Sequence, residues 1–336
     1  MMKKFFSLFL SAAMVLTLVS CGGDTQPNSG GNAGGSGSAA NGEFTFTQPI
    51  TVVVPFKAGS ATDNQIRLMQ SDLEDALGTT LVIVNAEGGS GTIGTTEYLN
   101  NYQPDGYTIL YTLATPVVYK PLSGDTTYTY DDLTSVARTS SQPMYLIMAD
   151  SNPMANAKDV IQYIKDNPGK FTYSHVGNGG NGHLAFASFL MGEGLEATSV
   201  PYPGGTADCY TATIGGEVDS CVYGEADLLA REDAHGVINL GSPTTVESLK
   251  DVPTLADLGY EGYETNNMAG FFYHKNTPAG AVTAFEKAVK AVLTNEEFVT
   301  RATEAGFVPS FGTGAEMDEQ STKSIEVATP VIQAMG

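Results

Sequence analysis

"ITVVVPFKAGSATDNQIRLMQSDLEDALGTTLVIVN", residues 50–85, sets the architecture of this chain. Its opening "ITVVVPF" is a continuous apolar run stopped at Pro55, the pattern of a strand buried on both faces. Ile66, Met69, Leu73, Ala76 and Leu77 then recur at helical spacing, and Gly78 supplies the stop. "TLVIVN" (80–85) reads as a second strand. "TIGTTEYLNNY" continues as a second helix and "YTILYTL" (107–113) as a third strand, so strand and helix alternate as in a parallel α/β sheet.

The alternation restarts downstream. "MYLIMA" (144–149), the helical "AKDVIQYIKDNPG", "FTYSHV", a Gly-rich turn, "GHLAFASFLMG" and "TSVPYPGG" form a second α/β unit, with "EVDSCVYG" and "GVINLG" as further strands. "AVTAFEKAVKAVLTNEEF" returns as a helix, with Thr277 expected to cap it and Pro278 to open it. Two similarly built lobes are expected, residues 47–143 plus 267–336 and residues 144–266.

The N-terminus predicts the compartment. Lys3 and Lys4 precede an apolar run from Phe5 to Val19, and "LVSC" ends at Cys21. This reads as a lipoprotein signal peptide, 1–20, with Cys21 as the lipidated first residue of the mature chain. Residues 21–46 are expected to be a flexible Gly/Ser/Asn tether. A net charge of −21 argues against nucleic acid and anionic membrane surfaces as partners. Any anionic ligand must then be held by local geometry. Cys209 and Cys221 are candidates for a disulfide in an exported protein, with two buried free thiols as the alternative.

Three Gly-rich turns each join an apolar strand to a helix: 57–62, 87–94 and 177–182. Gly89-x-Gly91-x-x-Gly94 and "GNGGNG" both have dinucleotide-turn spacing. Neither is followed by the acidic residue that holds a ribose at the end of the next strand, so no nucleotide cofactor is expected. Backbone N–H groups at a helix start serve a carboxylate equally well. No serine-hydrolase elbow, zinc-peptidase helix or P-loop ending is present, and the four histidines lack metal-ligand spacing.

"ITVVVPFKAGSATD", "VIVNAEGGSGTIG", "QPDGYTIL", "NPGKFTYSHVGNGGNGHLA", "VPYPGGTAD", "GGEVD", "DVPTLADLGYEGYE" and "NTPAG", in this order, resemble the extracytoplasmic solute receptors of tripartite tricarboxylate transporters, the Bug receptors. The resemblance implies a non-catalytic protein of the two-lobed periplasmic-binding-protein-like (type II) fold, α/β in class, with the ligand cleft between two α/β domains. It further implies a small carboxylate ligand, membrane transporter subunits as partners, no cofactor or metal, and a monomer.

Carried over residue by residue, the first lobe offers Phe56, Gly59, Ser60, Ala61, Thr62 and Asp63, with Asp63 expected to brace its loop. The second offers Ser174, Gly177, Asn178, Gly179 and His183, then Pro201, Tyr202, Gly204 and Gly205. Tyr223 and Glu225 fall where the cleft mouth is expected, Glu225 either pairing with a ligand amine or standing in solvent. Asn266 and Asn267 lie where the family commonly carries a hydroxyl residue and a tryptophan, which makes that wall more polar. Two other readings stay open: an exported hydrolase using His183 with Ser174, and a ligand-binding sensor or scavenging lipoprotein.

Overall fold

A computed structural model describes residues 44–154 and 156–335. The expectations for the signal peptide, for Cys21 and for most of the tether lie outside the described residues. At its C-terminal end the tether is shorter than expected. Phe46 is buried, its ring 5.9 Å from Tyr107 and 6.4 Å from Phe285, and Phe44 lies 5.0 Å from Phe46.

The first strand, β1 (Ile50–Val54), forms on the expected apolar run, and α1 (Ala61–Leu77) follows. Ser60 caps α1 in an extended conformation, its Oγ accepting from the Asp63 N–H, and Gly78 closes it at φ 67° with its N–H donated to the Glu74 carbonyl. Ile66, Met69, Leu73 and Leu77 form the buried face. Next come β2 (Leu81–Asn85), α2 (Thr92–Asn101) and β3 (Thr108–Leu113). Both β2 and β3 pair with β1 in parallel, Val52 standing opposite Ile83 and Ile109.

The following strand, β4 (Leu133–Ala149), is 17 residues long, whereas the sequence shows a strand signal only from Met144. Its first half is rich in Ser, Thr and Arg, yet these polar groups are satisfied sideways. Thr139 donates to the Ala269 carbonyl and meets Tyr111, and Arg138 donates to Ser310, Phe311 and Gln320. The chain continues through α3 (Ala157–Asp166), β5 (Thr172–His175), α4 (Asn181–Gly192), β6 (Thr198–Pro201), α5 (Thr206–Ile214), β7 (Ser220–Gly224), α6 (Glu225–Leu229) and β8 (Ala234–Asn239).

It closes with β9 (Asn266–His274), α7 (Ala279–Leu293), α8 (Glu296–Glu304), β10 (Gly312–Thr313) and α9 (Gly314–Met335). The expected single helix 281–298 is broken at Thr294 and Asn295, because the Asn295 side chain accepts from the Phe298 N–H and starts α8. Thr277 does not cap α7: Pro278 is the cap residue, and the Thr277 hydroxyl is buried without a partner among the described residues.

Strand order is β2-β1-β3-β9-β4-β7-β5-β6, with β8 and β10 also paired to β4. Halfway along, β4 changes company. Leu133–Pro143 pairs with β9, and β10 lies on Ala137 and Arg138; from Met144 the partners are β7 and β8. One apolar cluster joins β1, α1, β9 and α7 through Ile50, Ile66, Phe271 and Phe285, and a second joins Met144, Phe171, Phe186 and Leu240. A third includes Leu184 of α4 among Leu110, Met268, Ala328 and Val331. Burying a side chain such as Leu184 contributes about 2 kcal/mol.

Candidate functional site

Parallel strands send their carboxyl ends to one edge of a sheet, where the turns into helices leave N–H groups free. Two of the three Gly-rich turns do this here. After β1, Gly59 takes φ 80°, and its N–H is held by Asp63 Oδ2 at 2.8 Å. Arg67 Nε donates to the same oxygen at 2.8 Å, one helical turn on. Asn85 Nδ2, at the end of β2, donates to Asp63 Oδ1 at 2.9 Å and to the Phe56 carbonyl at 3.0 Å.

Asp63 is 1% exposed, so the loop is tied from beneath by a buried carboxylate. The Arg67 guanidinium, the Gly59 N–H and the Asn85 amide together hold that carboxyl at about 2, against the opposing effect of burial. The expectation that Gly59 offers a ligand its N–H is corrected: that donor is spent on Asp63. Among the described residues, the N–H groups of Ala61 and Thr62 have no partner, and Ala61 is exposed. Thr62 itself is buried, and Phe56 is half-buried beside Gly91.

The turn after β5 is braced by imidazoles. His175 Nδ1 accepts from the Gly177 N–H and His183 Nδ1 from the Gly179 N–H, each at 3.2 Å. Each ring therefore carries its proton on Nε2. His175 spends that proton on Ser199 Oγ at 2.7 Å, whereas His183 Nε2 has no partner among the described residues. The rings lie 4.5 Å apart, and burial pushes both down to about 4, with His183 adding to the effect on His175.

Both histidines are neutral at pH 7. The expected amide donors Gly177 and Gly179 are thus occupied, and the N–H groups of Asn181, Gly182 and His183, the first three of α4, have no partner among the described residues. Asn178 is exposed and its side chain makes no hydrogen bond among the described residues. Ser174 is fully buried with its hydroxyl donated to the Ser220 carbonyl, so it faces neither a ligand nor His183. That geometry also removes the Ser174–His183 hydrolase pair.

The third turn has a packing explanation. Gly88, Gly89 and Gly91 have φ of 135°, 57° and 95°, and a Cβ on Gly94 would stand 2.9 Å from Pro55 Cα and closer still to the Ala86 carbonyl. Its glycines let α2 approach the chain after β1.

The remaining expected residues divide. The Tyr202 N–H donates to the His175 carbonyl, tying "VPYPGG" to the β5 turn, and its hydroxyl reaches Glu217. Pro201 ends β6 opposite His175, and Gly204 and the positive-φ Gly205 lead into α5. Tyr223 is not at a cleft mouth; it is buried and stacked on Tyr210 at 5.4 Å. Glu225 is buried rather than solvated, held by the Tyr145 and Thr244 hydroxyls. Cys209 and Cys221 are free and buried, so the disulfide expectation is corrected. The Cys209 thiol meets Tyr223 and Ser174 while the Cys221 thiol meets Thr213, and burial raises both, Cys221 to about 12.

Asn266 braces the strand switch, donating to the Ser141 and Ser242 hydroxyls and accepting from the Ser242 N–H; Asn267 is half-buried opposite Gln142. Asn266 also lines a cavity of about 930 Å³ with Arg138, Gln142, Glu225, Thr244 and Gln320. No residue of the β1 or β5 turn lines it. Sequence reasoning missed Arg67, Asn85 and Asn181. The spacing Asp63-x-x-x-Arg67 was a readable signal for the first, whereas Asn85 is joined to Asp63 only by the β1–β2 pairing.

Among the described residues, no group of three or more His, Cys, Asp or Glu is placed to hold a metal, and no helix is long and apolar enough to cross a membrane. A family profile described as "Tripartite tricarboxylate transporter family receptor" matches residues 65–336. A UPF0065 protein of Bordetella pertussis is 28% identical over 307 residues, 89% of this chain and 93% of that protein. A TctC solute binding protein from Polaromonas shares the fold at a TM-score of 0.73 and 22% identity, covering 84% of this chain and 98% of that one. An R. palustris protein solved with adipate aligns at a TM-score of 0.65 and 27% identity over 83% of this chain and 94% of that one. The neighbours share the two-lobed α/β fold of periplasmic solute-binding proteins, and the chain belongs to the receptor family of the tripartite tricarboxylate transporters.

Proposed function

We propose that this protein is a lipid-anchored extracytoplasmic receptor that captures a small di- or tricarboxylate and delivers it to the membrane subunits of a tripartite tricarboxylate-type transporter. Residues 47–143 plus 267–336 form one lobe and 144–266 the other, hinged where β4 and β9 meet at Pro143 and Asn266. The carrying observation is the pair of braced turns that leave N–H groups free at the starts of α1 and α4. One helix start in each lobe suits a ligand with acidic groups at its ends, and the relative solved with adipate supports that length and charge. Closure follows because a ligand touching both helix starts binds the closed form better than the open one. Cys21 would carry the lipid, and the protein acts as a monomer.

Ala61→Pro tests the first helix start. Proline is favoured at the first helical position, and Ser60 already has the extended conformation a following proline requires. The substitution therefore deletes one free N–H without disturbing α1. Dicarboxylate affinity measured by titration calorimetry should fall about tenfold, the worth of a charge-assisted hydrogen bond, with Tm unchanged or raised. Unaltered affinity would remove Ala61 from the site, and the absence of binding by any di- or tricarboxylate would overturn the function.

A further inference from the structure

Asn181 is the first residue of α4, and it is 8% exposed. Its Nδ2 and Oδ1 are both buried without a hydrogen-bond partner among the described residues. A buried carboxamide left unpaired is costly, so its groups call for a partner that the described residues do not provide. Side chains of a helix lean toward its N-terminus, the end at which the N–H groups of Asn181, Gly182 and His183 have no partner among the described residues. Gly180 before it and Gly182 after it carry no side chain that could compete for that space.

The inventory at this helix start is lopsided. Three backbone N–H groups, His183 Nε2–H and Asn181 Nδ2 are donors, and a ligand carboxylate, which only accepts, matches them. Asn181 Oδ1 is the one acceptor in the set, and a carboxylate offers it nothing.

We propose that Asn181 is a specificity-determining residue that selects carboxylic acids bearing a hydrogen-bond donor, a hydroxyl or an ammonium, on the carbon next to the carboxylate. The carboxylate sits on the α4 N–H groups and the neighbouring donor pairs with Oδ1. This rests on the carboxylate-receptor reading above and narrows it to 2-hydroxy or 2-amino acids. An unsubstituted acid leaves Oδ1 unpaired in a buried place and binds more weakly for that reason.

The test is titration calorimetry with matched sets that differ only at that carbon: succinate, malate and aspartate; glutarate, 2-hydroxyglutarate and glutamate; adipate, 2-hydroxyadipate and 2-aminoadipate. In the set of the right length, one substituted acid should bind about tenfold more tightly than its unsubstituted parent. Which of the two does so identifies the donor as hydroxyl or ammonium. Asn181→Ala and the near-isosteric Asn181→Leu should bring that ratio close to one, because every acid loses the Nδ2 donor but only the substituted acid also loses the Oδ1 pairing. Equal affinities within every set, or a variant that keeps the ratio of the two affinities, would overturn the assignment while the receptor reading stands. If none of the nine acids binds, this inference fails, and the carboxylate reading fails with it only if tricarboxylates do not bind either.

Discussion

The turns after β1 and after β5 do the same job with opposite chemistry. Each holds a glycine loop ahead of a helix whose first N–H groups have no partner among the described residues. The first is braced by an ionised carboxylate, Asp63, which Arg67, Asn85 and the Gly59 N–H surround. The second is braced by two neutral imidazoles, whose Nδ1 atoms accept from Gly177 and Gly179. A carboxylate held by donors resists protonation, whereas an imidazole that must stay neutral to accept a hydrogen bond loses its function when it gains a proton. The two turns should therefore fail at different acidities.

The largest effect expected is on the β5 turn. His175 and His183 are held at about 4, below the ordinary histidine value of 6.5. As pH falls from 6.5 toward 4, the unfolded chain takes up protons that the folded protein refuses, so stability drops across that window. Each imidazole contributes up to about 1.4 kcal/mol per pH unit there, and the pair several kcal/mol in total. Urea unfolding at pH 7, 6 and 5 should show this decline. A flat profile between pH 7 and 5 would mean that the rings are hydrated in solution and would erase the contrast.

Asp63→Asn addresses the other brace. Asp63, held at about 2, stays ionised through the histidine window, and its contribution is present above 3.8 and lost only as pH falls toward 2. Replacing it sets an amide N–H₂ against the donors that now face a carboxylate. The expected loss is about 2 kcal/mol at pH 7, less than for a fully buried pair because the Arg67 side chain is 47% exposed and can turn to water. Chemical denaturation at pH 7 measures this. A loss below ~0.5 kcal/mol would show that Gly59 and Asn85 hold the loop unaided.

What the sequence made legible follows the same division. The apolar runs of β1, β2 and β3 and the stop at Gly78 are local signals, and they lie where periodicity puts them. The resemblance gave Asp63 a bracing role, and its hydrogen bonds to Gly59 and Arg67 are that brace. Which N–H groups remain free was not legible, because that depends on whether Asp63, His175 and His183 reach back to Gly59, Gly177 and Gly179. Ser174 and Tyr223 looked like site residues by position, but both lie on strands that are buried on both faces. The first half of β4 was invisible since its stabilising partners, Ala269, Ser310 and Gln320, come from more than a hundred residues away.

The smallest effect tests whether neutrality itself is what the β5 turn requires. In His183→Asn the side-chain carbonyl oxygen stands near the position of Nδ1 and can accept from the Gly179 N–H, as the imidazole does. It carries no group that titrates between pH 4 and 7. Stability at pH 7 should fall by no more than about 1 kcal/mol, the loss coming from the ring that packs parallel to Tyr173 and beside His175. Between pH 6.5 and 5 the variant should lose roughly half of the acid sensitivity of the parent, since His175 remains. A variant that keeps the full acid slope would assign the sensitivity to His175 alone, and one that unfolds at pH 7 would show that His183 holds the turn by packing rather than by its hydrogen bond.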